Sequence, residues 1–201
     1  TGFAGVLTDM LPLGAVGGLG GPVVEVSTAE ELTDALKVEA PIIVLVHGTV
    51  HLPVGSMLDI SSSTSVLGAG RGAEIVGGGF RLLEVSDVVI RNLTFRDSFV
   101  GADWDGASEE NDNDGIRVDT SDHVWIDHCE FARLGDGQID VRKDSTNVTV
   151  SWCVLRDHNK TLGVGWTDNV VTTLTLHHLW FSGTHQRNGS IDNVALCHVY
   201  N

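Results

Sequence analysis

A nine-residue pattern recurs along this chain, in DVVIRNLTF (87–95), HVWIDHCEF (123–131), NVTVSWCVL (147–155), TLTLHHLWF (173–181) and NVALCHVYN (193–201). Apolar residues occupy its second, fourth and seventh places. The copies start 36, 24, 26 and 20 residues apart, a period that makes each copy one coil of a solenoid, because a single rung cannot bury its apolar face without a neighbour. Between the copies, GIRVD (115–119), QIDVR (138–142) and LGVGW (162–166) form a second column. Its inward pairs are Ile116/Val118, Ile139/Val141 and Leu162/Val164. Each coil therefore holds two or three short strands with alternating faces, and a parallel β-helix is the simplest object with that property. A leucine-rich horseshoe would need a helix or a fixed Asn/Leu frame per repeat, for which these coils have no room.

The start of the chain follows the same logic. Residues 1–26 are glycine-rich and aperiodic, a lead-in expected to drape over the first coil. Ser27 or Thr28 then caps a short helix over 27–38, with Glu30 or Glu31 as capping-box partner and Leu32, Ala35 and Leu36 on one face. Such a helix would plug the end of a solenoid whose coils run over 40–201. Aligning Val46, Leu67 and Ile90 sets the period before the clear copies begin. One domain over 1–201 is expected, an all-β fold with a single capping helix. Thr1 in place of an initiator Met suggests a processed or excised chain.

The formal charge of −15 and the 24 glycines against four prolines bound the function. So acidic a chain is a poor partner for nucleic acid or an anionic membrane surface, both of which need clustered Lys and Arg. A polyanionic substrate would need a cation as mediator. Cys129 and Cys153 share the seventh place on successive coils, and rungs stand about 4.8 Å apart. That is close enough for a disulfide if the Cβ directions allow; otherwise they are two buried thiols. Cys197 falls in another column.

Used as a ruler, the repeat brings particular charges together. Five residues beyond Phe131 is Asp136, five beyond Leu155 is Lys160, and six beyond Phe181 is Arg187. Asp140 points outward between Ile139 and Val141, one rung from Arg117. An insertion in the preceding coil carries Asp97, Asp103, Asp105, Glu109, Glu110, Asp112 and Asp114 with no Lys or Arg among them. Most of these are expected to be solvated, but Asp112 and Asp114 lead into a strand. Carboxylates as close as Asp112, Asp114, Asp136 and Asp140 repel unless a hard cation binds them, and an all-oxygen set suits Ca²⁺ better than zinc. Lys160, Arg187 and Arg117 extend a groove able to take an acidic sugar polymer.

The motifs VWIDHCEF, DGQIDV, VTVSW, DHNKTLGVGWTDN, LTLHHLWF and HQRNGSIDNVALCHVYN, in this order, resemble those of the pectate lyases of polysaccharide lyase family one, in their secreted bacterial form. GGLGGPVVEVSTAEEL and GRGAEIVGGGF…VVIRNLTF resemble the family's amino-terminal stretch. The resemblance implies a right-handed parallel β-helix and calcium-dependent β-elimination of polygalacturonate. It matches Asp114, Asp136 and Asp140, with Asp112, to calcium ligands, Lys160 to a lysine that contacts a substrate carboxylate, and Arg187 to the base that removes the proton at C5. It also implies secretion and a monomer. Trp125, Asp127 and His128 fall in a structural segment, and Asn92 resembles a rung of the family's asparagine ladder.

Two features depart from the family. Gly189 and Asp192 stand where Arg-x-Pro-x-x-Arg is usual, and Gly189 is expected to loosen a loop carrying Arg187. The ending HVYN stops where the family continues with further coils and a cap. Arginine is an awkward base, since a free guanidinium keeps its proton to above about pH 12. Three other readings share the fold: a non-catalytic glycan-binding β-helix, a pectin lyase acting on methylated polymer without calcium, and a hydrolase using paired carboxylates. His177, His178, Cys197 and His198 imitate a zinc site but read as stacked core or turn residues.

Overall fold

The computed structural model describes residues 2–100 and 111–201; Asp103, Asp105, Glu109 and Glu110 of the acidic insertion lie outside them. The strands, in chain order, are β1 (Val23–Val26), β2 (Ile42–Val46), β3 (Thr49–Asp59), β4 (Thr64–Gly68), β5 (Glu74–Leu83), β6 (Ser86–Arg91), β7 (Thr94–Arg96) and β8 (Ile116–Asp119). There follow β9 (Asp122–Asp127), β10 (Glu130–Ala132), β11 (Gly137–Arg142), β12 (Thr146–Ser151), β13 (Val154–Gly165), β14 (Thr172–His177), β15 (Trp180–Ile191) and β16 (Val194–Tyr200). A single α-helix, α1 (Ala29–Leu36), accompanies them among the described residues.

Every pairing among these strands is parallel. One sheet runs β1-β2-β4-β6-β9-β12-β14-β16. The other strands form a second sheet that bends through the long strands: β5 pairs with β7 by its first half and β8 by its second, and β13 likewise with β10 and β11. The chain is a right-handed parallel β-helix of about seven turns. Its columns follow from the repeat. Val44, Val66, Ile90, Ile126, Val150 and Leu176 stack in register as one inward line, and all are buried. Phe95 lies between Phe80, edge-on at 5.1 Å, and Phe131, stacked at 5.1 Å.

Two alignments change. Val46 pairs with Gly68, and Leu67 with Leu45 and Arg91, so the inward column that contains Ile90 runs through Val44 and Val66; Val46 is buried in the next inward position, and Leu67 is not in the inward column. The fifth copy also sits in a shifted frame. Leu174 pairs with Cys197 and Leu176 with Val199, three places beyond the repeat's alignment of Leu174 with Val194: two because Val194 pairs with Thr172, and one because Ala195 is an extra residue between Val194 and Leu196. One inserted residue in a strand turns every later side chain to the other face, which a period-two pattern of Val, Leu and Val conceals.

Thr28 caps α1 by accepting from Glu31 N, and the Glu31 carboxylate accepts from Thr28 N. Leu32, Ala35 and Leu36 join the core at the end of the solenoid. The lead-in travels further than the first coil, and its last four residues form β1. Phe3 N and Ala4 N donate to Thr175 and Thr149 on β14 and β12, and Val16 N and Gly17 N both donate to Asp87 at 2.6 Å. The segment therefore crosses the outer face of the first sheet over several rungs. Cys129 and Cys153 are buried and unbonded to each other. Each donates its thiol to a nearby carbonyl, Cys153 to Ser151 at 3.2 Å, and burial pushes the Cys153 thiol well up. No helix among the described residues is long and apolar enough to cross a membrane.

Candidate active site

The outer surface of the second sheet, where β8, β11, β13 and β15 lie side by side, gathers the charged residues singled out by the repeat. Ile116, Ile139 and Leu162 stack inward, so Arg117, Asp140 and Gly163 form the adjacent outward column. Asp136 immediately precedes β11. Gly137 pairs with Lys160, and Lys160 with Gln186, so Asp136 and Arg187 each stand one residue off the shared register rather than in one strict column. Arg187 is brought round by a left-handed backbone, φ 56°.

Each cation on this stripe faces a carboxylate. Lys160 Nζ donates to Asp136 at 2.7 Å. Arg187 Nη1 lies 3.7 Å from Asp140 Oδ2, too long for a hydrogen bond. Arg117, whose side chain is 11% exposed, is held between Asp114, through a short Nε contact, and Asp112, at 2.7 Å. Arg117 is thus committed to two carboxylates, and the exposed Asp112 is turned toward it. Asp114 and Asp140 are almost wholly buried. Burial first, then mutual repulsion for Asp140, raises both carboxyls above the usual range, Asp140 well above it.

Whether the site suits a hard cation can be judged from its oxygens. Among the described residues, no three His, Cys, Asp or Glu side chains already stand together as a metal-holding group. Two oxygens nevertheless converge. A Cβ added at Gly137 would lie 2.6 Å from Asp140 Oδ1 and 2.9 Å from Asp114 Oδ1, so the absence of a side chain there opens a small cradle between them. Asp140 Oδ1 is buried with no hydrogen-bond partner among the described residues, an arrangement costly unless something else satisfies it. With Asp136 at the rim, the donors are all oxygen and anionic, which fits calcium.

Three further side chains serve the site and escape the repeat. Thr161, buried next to Lys160, donates its hydroxyl to the Arg187 carbonyl at 2.6 Å and so ties the backbone of that residue. His158 Nε2 donates to the Asp136 carbonyl at 2.5 Å, and burial lowers its affinity for a proton. Trp166 lies over Arg187, with the guanidinium carbon 5.1 Å from the ring centroid. The only sequence sign of Thr161 and His158 was their place beside Lys160. A cavity of about 560 Å³ opens just upstream on the same strands, lined by His158, Asn159, Gly183, His185 and Arg133 among others.

Gly189 occupies a different setting from the one its sequence suggests. Arg187 lies within strand β15, not in a loop, and Gly189 is an extra residue at φ 84° where Leu162 pairs with Asn188 and Gly163 with Ser190. Asp192 accepts from Asn193 N at 3.0 Å. Trp125 and Asp127 lie on β9 of the first sheet and His128 just beyond it; Asp127 accepts from Ser151 at 2.6 Å and contacts His128 at 2.7 Å. Asn92, His128, Trp152 and His178 all hold positive φ at the same corner of successive coils. Asn92 donates to two carbonyls of the preceding turn. Trp152 stacks on His178 at 3.8 Å and His177 on Tyr200 at 4.8 Å.

Comparison with known proteins agrees with this architecture. The pectate lyase family model matches residues 2–201. The pectate trisaccharide-lyase of Thermotoga maritima is 38% identical over 100% of this chain and 55% of its own length. That of Bacillus licheniformis is 30% identical over 94% of this chain and 57% of its own. The chain spans little more than half the length of these relatives. A Bacillus subtilis pectate lyase superposes with a TM-score of 0.83 at 22% identity, covering 99% of this chain and 70% of that one. A Bacillus pectate lyase in complex with trigalacturonate gives 0.82 at 26% identity, over 100% and 66%.

Proposed function

The chain belongs to the pectate lyase family, and from that premise we propose that it cleaves polygalacturonate by calcium-dependent β-elimination, with its site on the stripe formed by β8, β11, β13 and β15. The observation that carries this reading is the buried Asp114–Asp140 pair with its unpartnered Asp140 Oδ1, on the stripe that also carries the Asp136–Lys160 pair and Arg187, 3.7 Å from Asp140 Oδ2. Asp114, Asp136 and Asp140 would hold the cation, with Asp112 contributing if it leaves Arg117. Bound there, calcium would neutralise the buried carboxylates and supply positive charge to the uronate carboxylate.

The chain's own residues account for the remaining steps. Lys160, released from Asp136, pairs with a uronate carboxylate and stabilises the charge that builds on it as the C5 proton leaves. Arg187 takes that proton. Electrons from the C5–H bond form the C4=C5 double bond, the C4–O bond breaks, and the departing sugar oxygen is protonated by water. Arginine accepts a proton only in its neutral form, so Asp140 must be engaged elsewhere at that moment. A cation held by Asp140 would meet this requirement. Arg117 serves mainly by holding Asp112 and Asp114 and reaches substrate only if they release it. A polymer substrate fits action outside the cell.

Substitution of the base separates this reading from its rivals. Polygalacturonate treated with the wild-type chain should gain the ultraviolet absorbance of unsaturated uronates, and Arg187→Lys should lose it by about a hundredfold or more while still binding calcium in calorimetry. Wild-type turnover by Arg187→Lys removes Arg187 from the role of base. Activity only on methylated pectin, unaffected by chelator, would favour a pectin lyase. Binding without turnover would favour a glycan-binding module.

A further inference from the structure

We propose that Trp166 positions Arg187, its indole face fixing the plane of the guanidinium that takes part in proton removal, and that Gly163 exists in its present form to seat that ring. The inference rests on the reading of Arg187 given above. The guanidinium carbon lies 5.1 Å from the ring centroid, within the range of a cation–π contact. Arg187 Nη1 is buried and makes no hydrogen bond among the described residues, and its ion-pair partner Asp140 is 3.7 Å away. A stretched ion pair attracts a guanidinium without orienting it. A ring face under it sets the plane and leaves the edge, where the donors and the reactive nitrogens are, pointing elsewhere.

The ring is built into its place. A Cβ at Gly163 would lie 2.4 Å from Trp166 Cη2, 2.9 Å from Cζ3 and 3.0 Å from Asp140 Oδ1, so any other residue at 163 would push the ring off its seat and also crowd Asp140. Trp166 holds a left-handed backbone, φ 55°, uncommon for so bulky a side chain. The turn that follows is tied at both sides. Thr167 donates to Asp144 at 2.5 Å, and the Asn193 amide donates to the Thr167 carbonyl at 2.6 Å. The residue as a whole remains 48% exposed, so burial of apolar surface is a weak reason for accepting this backbone. Contact with Arg187 is a better one.

The test combines spectroscopy with kinetics. In ¹⁵N-edited spectra of the arginine side chains, the Arg187 Nε–H resonance should carry a ring-current shift that Trp166→Ala removes and Trp166→Phe largely keeps. Trp166→Ala should lose about tenfold or more in kcat with KM changed by less than about threefold, as expected of a misaligned reacting group. Trp166→Phe should recover most of that loss. Gly163→Ala, which keeps the ring but displaces it, should reproduce the loss and the change in the Arg187 resonance while calcium affinity, read by calorimetry because the new Cβ also approaches Asp140 Oδ1, stays near wild type; it supplies the comparison if Trp166→Ala does not fold. An Arg187 resonance indifferent to Trp166→Ala overturns the contact, and a Trp166→Ala enzyme with wild-type kcat overturns the positioning role. A folded wild-type chain without lyase activity would instead count against the reaction assigned to Arg187, with the spectra still deciding the contact.

Discussion

Asp140 concentrates the physics of the site in one side chain. It is 2% exposed, one of its oxygens has no hydrogen-bond partner among the described residues, and Asp114 shares its cradle at Gly137. Its carboxyl is raised because burial disfavours the charged form. The folded state of the ion-free chain therefore binds a proton more readily than the unfolded state, so this group is a constant penalty above the folded pKa, and its contribution to stability improves as pH falls through the folded pKa toward the unfolded one. Asp140→Asn should raise the thermal midpoint of chelator-treated protein at neutral pH and flatten this acid-side gain. In calorimetry it should cost at least about tenfold in calcium affinity. An unchanged midpoint together with unchanged calcium affinity would remove Asp140 from the cation site. At this scale the sequence carried Asp136, Asp140, Lys160 and Arg187 to within a residue of their places, because they hang on periodic strands. It could not supply the hold of Arg117 on Asp112 and Asp114, which depends on an aperiodic insertion, nor the Trp166 contact, which depends on a left-handed turn.

The strands carrying the site owe their geometry to small local devices. Arg187 stands in β15 on the approach to a bulge at Gly189, and a Cβ at Gly189 would meet nothing within 4 Å. The cost of Gly189→Ala is therefore conformational only, about 1–2 kcal/mol for a non-glycine residue at φ 84°. Urea unfolding should report that loss, with a parallel fall in turnover as the bulge relaxes and Arg187 shifts. A variant as stable as wild type would mean that the bulge does not need glycine. The bulge at Ala195 explains why the fifth copy was legible as a strand but not in its frame. Alternation survives an inserted residue while the face it points to reverses. The helix α1 was legible as an element, because its capping box and its apolar face are local properties of Thr28, Glu31, Leu32 and Leu36, while the choice of Thr28 over Ser27 and the shorter span Ala29–Leu36 within 27–38 came from the structure.

Taken whole, the molecule is a stack in which each rung completes the burial of the next, and its stability is the sum of such interfaces. The parallel β-helix could be read from the inward residues alone, since Ile116/Val118, Ile139/Val141 and Leu162/Val164 pair in the observed register. The path of the lead-in could not. It has no period, and its course over the first sheet is set by hydrogen bonds to Asp87, Thr149 and Thr175, which are distant in sequence. The same stacking brings residues from four coils onto one stripe, so those coils must be folded against one another for the site to exist. The measurement that decides whether this stripe is a calcium-dependent lyase site is the ultraviolet absorbance of polygalacturonate incubated with the folded chain, with calcium and with excess chelator. Absorbance should rise steadily with calcium and stop on chelation, and no rise in either condition, from protein whose fold is verified by circular dichroism, would contradict it.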